Sequence, residues 1–200
     1  MALEKMRNGN AIFTDKFKEN KKLYHDLVEN GQHPKVLWVG CSDSRVVPEF
    51  TVNAKVGDLF VIRNIANIIP PKEADETCTS SVLEYAVLHL NVEHIVICGH
   101  TGCGGINALI DGTSKNTKIH DWLEHACPAK ETAKSSNTTS LELETIKENI
   151  FLQANNLLTF DYIEKRHRED KIKIHRWLYD MHPGKISFFD EKKHNWSPLN

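Results

Sequence analysis

The sequence has no long hydrophobic run and no excess of one charge. Its uninterrupted apolar runs are only a few residues long, so no segment is predicted to span a bilayer. The 25 basic and 27 acidic residues give a formal net charge of −2, which provides no basic surface for nucleic acid or an anionic membrane. We therefore expect neither class of partner.

The N-terminal residues also lack the features of a secretory signal. The segment MALEKMRNGNAIF has no basic start followed by an apolar stretch. A cytoplasmic, reducing setting is then the default expectation, in which the five cysteines serve as thiols or metal ligands rather than in disulfides. A thiol redox function is disfavoured because the sequence has no Cys-x-x-Cys motif.

Short apolar runs alternate along the chain with helical patterns. Strands are predicted at 35–41, 58–67, 93–100, 171–181 and 183–190, and helices at about 10–30, 80–90, 104–110 and 140–160. Ser80 or Ser81 is the predicted N-cap of the second helix, and 111–140 is predicted to form short helices or a flexible connection. This alternation predicts an α/β fold with a mainly parallel central sheet flanked by helices. We expect one domain over 1–200, with an N-terminal helical arm at about 1–33 and a catalytic core at about 34–190.

Two of the predicted strands end in side chains that bind metals. Cys41 closes the run VLWVGC, and His100 and Cys103 follow the run IVICG. Ligands of open α/β sheets collect at the carboxyl ends of strands, so these side chains converge if the two strands are neighbours. Two thiolates and one imidazole suit Zn2+, and three protein ligands leave a fourth position open, as in catalytic zinc sites.

Asp43 and Arg45 add a carboxylate and a guanidinium close to Cys41. Asp43 could ligate the metal itself, which would close the site, or accept a hydrogen bond from metal-bound water. Arg45 could hold the carboxylate in the second arrangement through a bidentate pair. The residue pattern alone leaves both arrangements open.

Packing is the alternative explanation for each cysteine, because cysteine is among the most buried residue types. We prefer it for Cys78, Cys98 and Cys127, and it would also be preferred for Cys41 alone. The ten histidines other than His100 are expected on the surfaces of polar helices. The coincidence of several metal-binding and charged residues at predicted strand ends favours the metal hypothesis for the remaining set.

The motifs CSDSRV (41–46) and HTGCGG (100–105) together closely resemble those of the β-class carbonic anhydrases, and the resemblance extends from about residue 10 to about 190. It implies a β-carbonic anhydrase-like fold in which Cys41, His100 and Cys103 hold one Zn2+ per chain. Asp43 and Arg45 would be the catalytic dyad, with Asp43 a possible fourth ligand in a closed state. The implied reaction is reversible hydration of CO2 to bicarbonate and a proton by zinc-bound hydroxide.

The resemblance continues at four positions outside the two motifs and at Gly104 within the second. Gln32 falls where the family has a substrate-orienting glutamine. Phe60, Ile65 and Tyr85 fall where it has an apolar pocket, and Gly104 begins the helix that follows. Core packing is the alternative for the three apolar residues, and the sequence alone favours it. In the family part of this pocket comes from a neighbouring subunit, which implies self-association as a dimer or tetramer.

Three further residues resemble the regulatory bicarbonate site of one branch of the family: Trp38, Arg63 and Tyr179. There, bicarbonate or low pH favours the closed state, in which the aspartate ligates zinc and its pair with arginine breaks. The alternatives are ordinary aromatic packing for Trp38 and Tyr179 and an ordinary ion pair for Arg63. Together, the three matches favour allosteric control.

Two rival functions share the same residues. An enzyme on this scaffold could hydrolyse CS2 or COS, since the zinc chemistry would be the same. A non-catalytic zinc-binding module is the second rival, and it would be expected to lack Asp43 or Arg45. Both residues are present, and we expect a carbonic anhydrase.

Overall fold

The chain divides into two units, Met1–His33 and Pro34–Asn200, in a computed structural model that describes residues 1–199. The first unit is a pair of helices, α1 (Ala2–Glu19) and α2 (Lys21–Glu29), where one helix is predicted over 10–30. The rings of Phe17 and Tyr24 stack at 4.5 Å between centroids, one from each helix. The single predicted helix is therefore two helices in contact with each other.

The second unit is built on a six-stranded sheet. Its strands are β1 (Val36–Cys41), β2 (Leu59–Asn64), β3 (His94–His100), β4 (Lys173–Asp180), β5 (Lys185–Asp190) and β6 (Asn195–Pro198). They lie in the order β2-β1-β3-β4-β5-β6. The first four strands are parallel to one another, β5 is antiparallel to β4, and β6 is antiparallel to β5. The predicted α/β fold with a mainly parallel sheet is confirmed, and β6 is an additional strand.

Seven helices of the second unit connect and cover these strands. They are α3 (Pro48–Thr51), α4 (Thr77–Glu84), α5 (Gly104–Asp111), α6 (Lys118–Leu123), α7 (Cys127–Ser135), α8 (Leu141–Leu157) and α9 (Asp161–Arg168). The segment 111–140 thus forms short helices, one of the two predicted outcomes. No helix among residues 1–199 has the length and apolar content that crossing a membrane requires.

The predicted N-cap of α4 is wrong. The helix begins at Thr77, and the side chain of Glu76 accepts hydrogen bonds from the backbone N–H groups of Cys78 and Thr79. The hydroxyls of Ser80 and Ser81 instead donate to backbone carbonyls three or four residues earlier. Serine makes this bond inside helices, which is why a serine pair does not by itself define a helix start.

Each face of the sheet carries its own apolar cluster. Leu37, Val39, Ile95 and Ile97 lie in the larger cluster, together with residues of α8. Trp38, Val96 and Cys98 lie on the opposite face with Ile186. Alternate residues of a strand point to opposite faces, so the apolar runs of β1 and β3 fill both clusters. The two strands are central and adjacent, and they bring their carboxyl ends together.

Candidate metal centre

Three buried donor groups meet where β1 and β3 end. Cys41 is the last residue of β1, His100 is the last of β3, and Cys103 precedes the first residue of α5. Their ligand atoms all lie within 4.8 Å of one another. The two sulfurs are 3.9 Å apart, close to the roughly 3.8 Å expected of two sulfurs that each lie 2.3 Å from a tetrahedral Zn2+.

The imidazole of His100 is oriented for a metal. Its Nδ1 lies 3.0 Å from the carbonyl oxygen of Thr101, which places the proton on Nδ1 and leaves a lone pair on Nε2. His100 is buried, and Nε2 has no hydrogen-bond partner among residues 1–199. A buried polar atom without a partner is costly in free energy, and coordination of a cation would satisfy it.

The two thiols are electrostatically coupled. A hydrogen bond from Cys103 lowers the pKa of Cys41 to about 4 against the opposing effect of burial, with smaller contributions from His100 and the backbone amides of Asp43 and Ala66. The pKa of Cys103 is raised, because it donates to Cys41 and is itself buried. A divalent cation beside both sulfurs would favour the ionised form of each.

Asp43 is bound to Arg45 rather than included in the donor cluster. Arg45 Nε donates to Asp43 Oδ1 at 2.9 Å and Arg45 Nη2 donates to Oδ2 at 2.6 Å. The backbone N–H of Arg45 also donates to Oδ1, at 2.9 Å. This bidentate pair holds the pKa of Asp43 well below its usual range. Of the two arrangements left open by the sequence, the structure contains the ion pair.

The residues predicted to form the substrate pocket lie in two units and in several environments. Gln32 belongs to the first unit. The rings of Phe60 and Tyr85 lie 5.8 Å apart, and Tyr85 and Ile65 are exposed in part. A Cβ at Gly104 would have no other atom within 4 Å.

Close approach occurs at the next residue, Gly105. A Cβ at Gly105 would lie 2.6 Å from Cγ2 of Ile65 and 3.3 Å from the backbone nitrogen of Ala66. Since real Cβ atoms do not approach other atoms so closely, only glycine fits without movement of the segment 65–66. The second of the two adjacent glycines therefore allows α5 to pack against the end of β2.

Trp38, Arg63 and Tyr179 lie on the same face of the sheet. Trp38 is buried there with Tyr179 packed against its cluster, and Arg63 faces this side by strand alternation from Val61. Among residues 1–199 Arg63 binds no carboxylate. It donates from Nε to the carbonyl oxygen of Cys41 at 2.9 Å and from Nη2 to that of Asp43 at 2.7 Å. The indole N–H of Trp38 has no partner within residues 1–199.

Sequence reasoning missed the residues that support the site from a distance. Trp122 Nε1 donates to the carbonyl oxygen of Ile65 at 2.9 Å, and Asn149 Nδ2 donates to that of Ala66, also at 2.9 Å. Glu142 accepts a hydrogen bond from Gly102 N–H. These contacts join residues separated by 40 to 83 positions, which no local pattern indicates.

Two expectations about other residues need correction. Cys78 is exposed rather than packed in the core, whereas Cys98 is buried as expected and Cys127 is partly buried. His94 and His175 lie in strands and are partly buried, with His94 Nδ1 3.1 Å from His175 Nε2. Both residues lie near the amino ends of neighbouring parallel strands, where burial follows from the sheet rather than from their polarity.

The family model described as carbonic anhydrase matches residues 36–186 of this chain. The chain belongs to the β-class carbonic anhydrase family. It is 35% identical to a carbonic anhydrase of Synechocystis sp., over 97% of this chain and 71% of that protein. It is 34% identical to one from Helicobacter pylori strain J99, over 92% of this chain and 89% of that protein.

Solved structures of β-carbonic anhydrases have the same fold. The structure of the β-carbonic anhydrase CcaA matches with a TM-score of 0.93 and 32% identity, covering 99% of this chain and 100% of that one. One of two tetrameric β-carbonic anhydrases from Sordaria macrospora matches with a TM-score of 0.81 and 30% identity, over 92% and 93% of the two chains. The protein is thus an enzyme of the carbonate dehydratase class, and its cluster of two thiols and one imidazole could hold the metal.

Proposed function

We propose that the chain catalyses the reversible hydration of CO2 to bicarbonate and a proton, with one Zn2+ held by Cys41, His100 and Cys103. The observation that carries this proposal is the buried Nε2 of His100, which has no hydrogen-bond partner in the described part of the chain and lies beside two sulfurs 3.9 Å apart. Zn2+ in such a site lowers the pKa of bound water to about 7 and so supplies a nucleophile at neutral pH. The rest of the chemistry depends on residues of the chain.

Asp43 acts in this proposal as a fixed hydrogen-bond acceptor beside the metal. The Arg45 guanidinium keeps its carboxylate ionised at neutral pH and occupies both oxygens from one side. An ionised carboxylate accepts hydrogen bonds and does not donate them. Asp43 can therefore orient a reacting water or the hydroxyl of bicarbonate, and Arg45 fixes the direction of that acceptor.

The proposed substrate pocket combines apolar walls with one amide. Phe60, Ile65 and Tyr85 supply apolar surface suited to CO2, which is small and uncharged. Gly104 leaves open space at the start of α5, and Gln32 would orient a substrate oxygen. The partial exposure of Ile65 and Tyr85 supports completion of this wall by a second subunit.

We further propose control by bicarbonate at Trp38, Arg63 and Tyr179. Arg63 bonds to the carbonyls of Cys41 and Asp43, so an anion that draws its guanidinium away would release the segment carrying the dyad. Asp43 could then turn from Arg45 to the metal as a fourth ligand, which is the closed state. The unpartnered indole N–H of Trp38 within the described residues supplies a donor for such an anion.

The proposal includes assembly, location and domain organisation. Self-association as a dimer or tetramer is supported by the tetrameric relatives from Sordaria macrospora. A cytoplasmic location agrees with five cysteines that form no disulfide. We propose a single domain over 1–200, in which residues 1–33 form the arm and about 34–190 the catalytic core.

Stopped-flow CO2 hydration by metal-quantified protein, from about pH 6.5 to 9, tests the proposal. Activity should track zinc content, increase with pH and decrease on addition of bicarbonate. Activity that ignores bicarbonate would contradict the regulatory site and keep the enzyme. A zinc-loaded protein that fails to hydrate CO2 but hydrolyses CS2 or COS would identify the rival hydrolase, and one inactive on all three gases would be a non-catalytic module.

A further inference from the structure

We propose that Glu142 is a positioning residue for the Asp43–Arg45 pair, acting through the backbone of Gly102. Glu142 Oε1 accepts a hydrogen bond from the Gly102 N–H at 2.9 Å, although the two residues are 40 positions apart. Gly102 lies in the short turn between the second and third members of the donor cluster. The inference rests on the proposed function, since it concerns how the reacting carboxylate is held.

The two backbone polar groups of Gly102 connect Glu142 to the dyad, the N–H to Glu142 and the carbonyl to Arg45. Its carbonyl oxygen accepts a hydrogen bond from Arg45 Nη2 at 2.9 Å, and the same nitrogen donates to Asp43 Oδ2 at 2.6 Å. Arg45 is exposed to solvent, so its hydrogen bond to this carbonyl restricts the position of a guanidinium that would otherwise be mobile. Displacement of Gly102 would move both of its flanking peptide groups, and with them Arg45 and the carboxylate of Asp43.

Gly102 needs an external anchor because its own conformation is permissive. Its φ of +67° lies in the left-handed region that glycine adopts readily. A Cβ at this position would lie 3.2 Å from the Met181 Cε, so a side chain that could restrain the turn has little room. The carboxylate of Glu142 supplies the restraint from outside the turn.

Helix α8 holds Glu142 rigidly with respect to the end of β3. Ile146 and Ile150 follow Glu142 at intervals of four residues and so lie on the same helix face. A Cβ at Gly99 would lie 3.1 Å from Ile146 and 2.8 Å from Ile150, which shows how closely this face packs on the strand. The position of the carboxylate is thus fixed by packing one and two turns further along the helix.

Glu142 could instead act by charge, since it and Arg45 line the same cavity of about 660 Å³. Glu142→Ala removes both the acceptor and the charge, whereas Glu142→Gln removes only the charge. Glu144→Ala is the matched control, because Glu144 is in the first turn of the same helix and lies 3.6 Å from Lys147. The control accounts for loss of a favourable acidic group at the helix N-terminus.

The test is amide hydrogen exchange at Gly102 in the zinc-loaded protein, together with zinc transfer to a chelator and CO2 hydration. For Glu142→Ala we expect amide exchange at Gly102 to be at least about 10-fold faster. Zinc transfer to the chelator should be about 10-fold faster, and kcat/KM should be about 10-fold lower. Glu142→Gln should remain within about threefold of the wild type, because neutral hydrogen bonds are roughly half as strong as charge-assisted ones. Glu144→Ala should match the wild type.

Unchanged Gly102 exchange in Glu142→Ala would overturn the inference, and so would a Glu142→Gln variant as impaired as the alanine variant. If Glu144→Ala changed Gly102 exchange, zinc transfer and kcat/KM as much as Glu142→Ala, the effect would be one of helix stability, and the inference would be overturned. Exchange and zinc transfer are measurable whether or not the wild type hydrates CO2. An inactive wild type would therefore contradict the proposed function, while these two readouts still test the anchoring of Gly102.

Discussion

Strand β3 carries a histidine at each end, and the two imidazoles have different surroundings. At the start of the strand, His94 Nδ1 lies 3.1 Å from the Nε2 of another partly buried histidine, His175. At the end, His100 places Nδ1 on a backbone carbonyl and leaves Nε2 buried beside two sulfurs. The residue type is the same, but within residues 1–199 the His100 imidazole has a buried nitrogen without a hydrogen-bond partner that lies beside other metal-binding atoms.

The difference shows that the second ring nitrogen decides what a strand-end histidine can do. A neutral imidazole has one donor and one acceptor nitrogen. At His94 the nearby histidine occupies Nδ1, so that nitrogen has its partner within the protein. At His100 the backbone carbonyl of Thr101 accepts a hydrogen bond from Nδ1, so Nε2 is left as a metal ligand. Changes at the two ends of β3 should accordingly have effects of very different size.

The largest effect is expected from Cys103→Ser at the carboxyl end. The hydroxyl is a poor ligand for Zn2+ at neutral pH, so the variant should lose zinc and activity together. Because changes that only affect the surroundings of a metal typically cost 10- to 100-fold, loss of a ligand should cost more than about 100-fold in zinc affinity. Zinc quantification after dialysis against a chelator, followed by the CO2 hydration assay, provides the measurement.

Cys98→Ser is the matched control for that variant. Cys98 is equally buried in β3, the strand that precedes Cys103, but it lies outside the donor cluster. Burial raises the pKa of its thiol, as expected of a packing residue. This control should keep its zinc even if it is less stable. Full zinc retention by Cys103→Ser, or equal zinc loss in both variants, would refute the ligand assignment.

A smaller effect is expected from Asp43→Ala, which should separate zinc binding from turnover. The cluster keeps its three donors, so most of the zinc should remain. Turnover should fall about 100-fold, the scale on which a positioned acid–base group contributes. The comparison is kcat per bound zinc in the variant and in the wild type.

The control is Asp161→Ala, which breaks an exposed carboxylate–lysine pair of 2.6 Å with Lys72 away from the cluster. This variant should retain both zinc and kcat. An Asp43→Ala protein that hydrates CO2 at the wild-type rate would show that the carboxylate has no part in the reaction. Zinc loss in this variant would instead indicate that Asp43 supports the metal directly.

The architecture at the carboxyl end of the sheet was predictable because its signals are local. The apolar runs that end in Cys41 and His100 indicate two buried strands, and the metal-binding residues follow each strand without interruption. Parallel neighbours then bring their ends together whatever the connecting helices are. The positions of the donor side chains thus depend on few assumptions.

The supports of the site were not predictable, because they depend on tertiary contacts between distant segments. Glu142 is one of many acidic residues in a helical pattern, and only the packing of α8 on β3 selects it for Gly102. Trp122 lies in the polar segment 111–140, yet its indole reaches the carbonyl of Ile65. The N-cap of α4, Glu76, was missed for a different reason. Serine donates hydrogen bonds to carbonyls inside a helix as readily as it caps a helix, so a serine pair does not locate the N-cap.

The smallest effect is expected at the other end of β3, from His175→Gln. Burial, with smaller contributions from the charges of His94 and Lys173, lowers the pKa of His175. The unfolded chain therefore binds a proton more readily than the folded one as pH falls below about 6.5. The free energy of unfolding should accordingly decrease as pH falls from about 6.5 through the lower pKa of the folded state.

Replacement by glutamine removes this titration, so the variant should lose less stability than the wild type on acidification. We expect a difference of about 1 kcal/mol or less between the two proteins, from denaturant midpoints compared at about pH 7.5 and 5.5. Titrating groups that do not contact residue 175, including those of the metal centre, are common to both proteins and cancel in the comparison. An equal loss of stability would show that His175 is protonated as easily in the folded chain as in the unfolded one. The contrast between the two ends of β3 would then rest on hydrogen bonding alone.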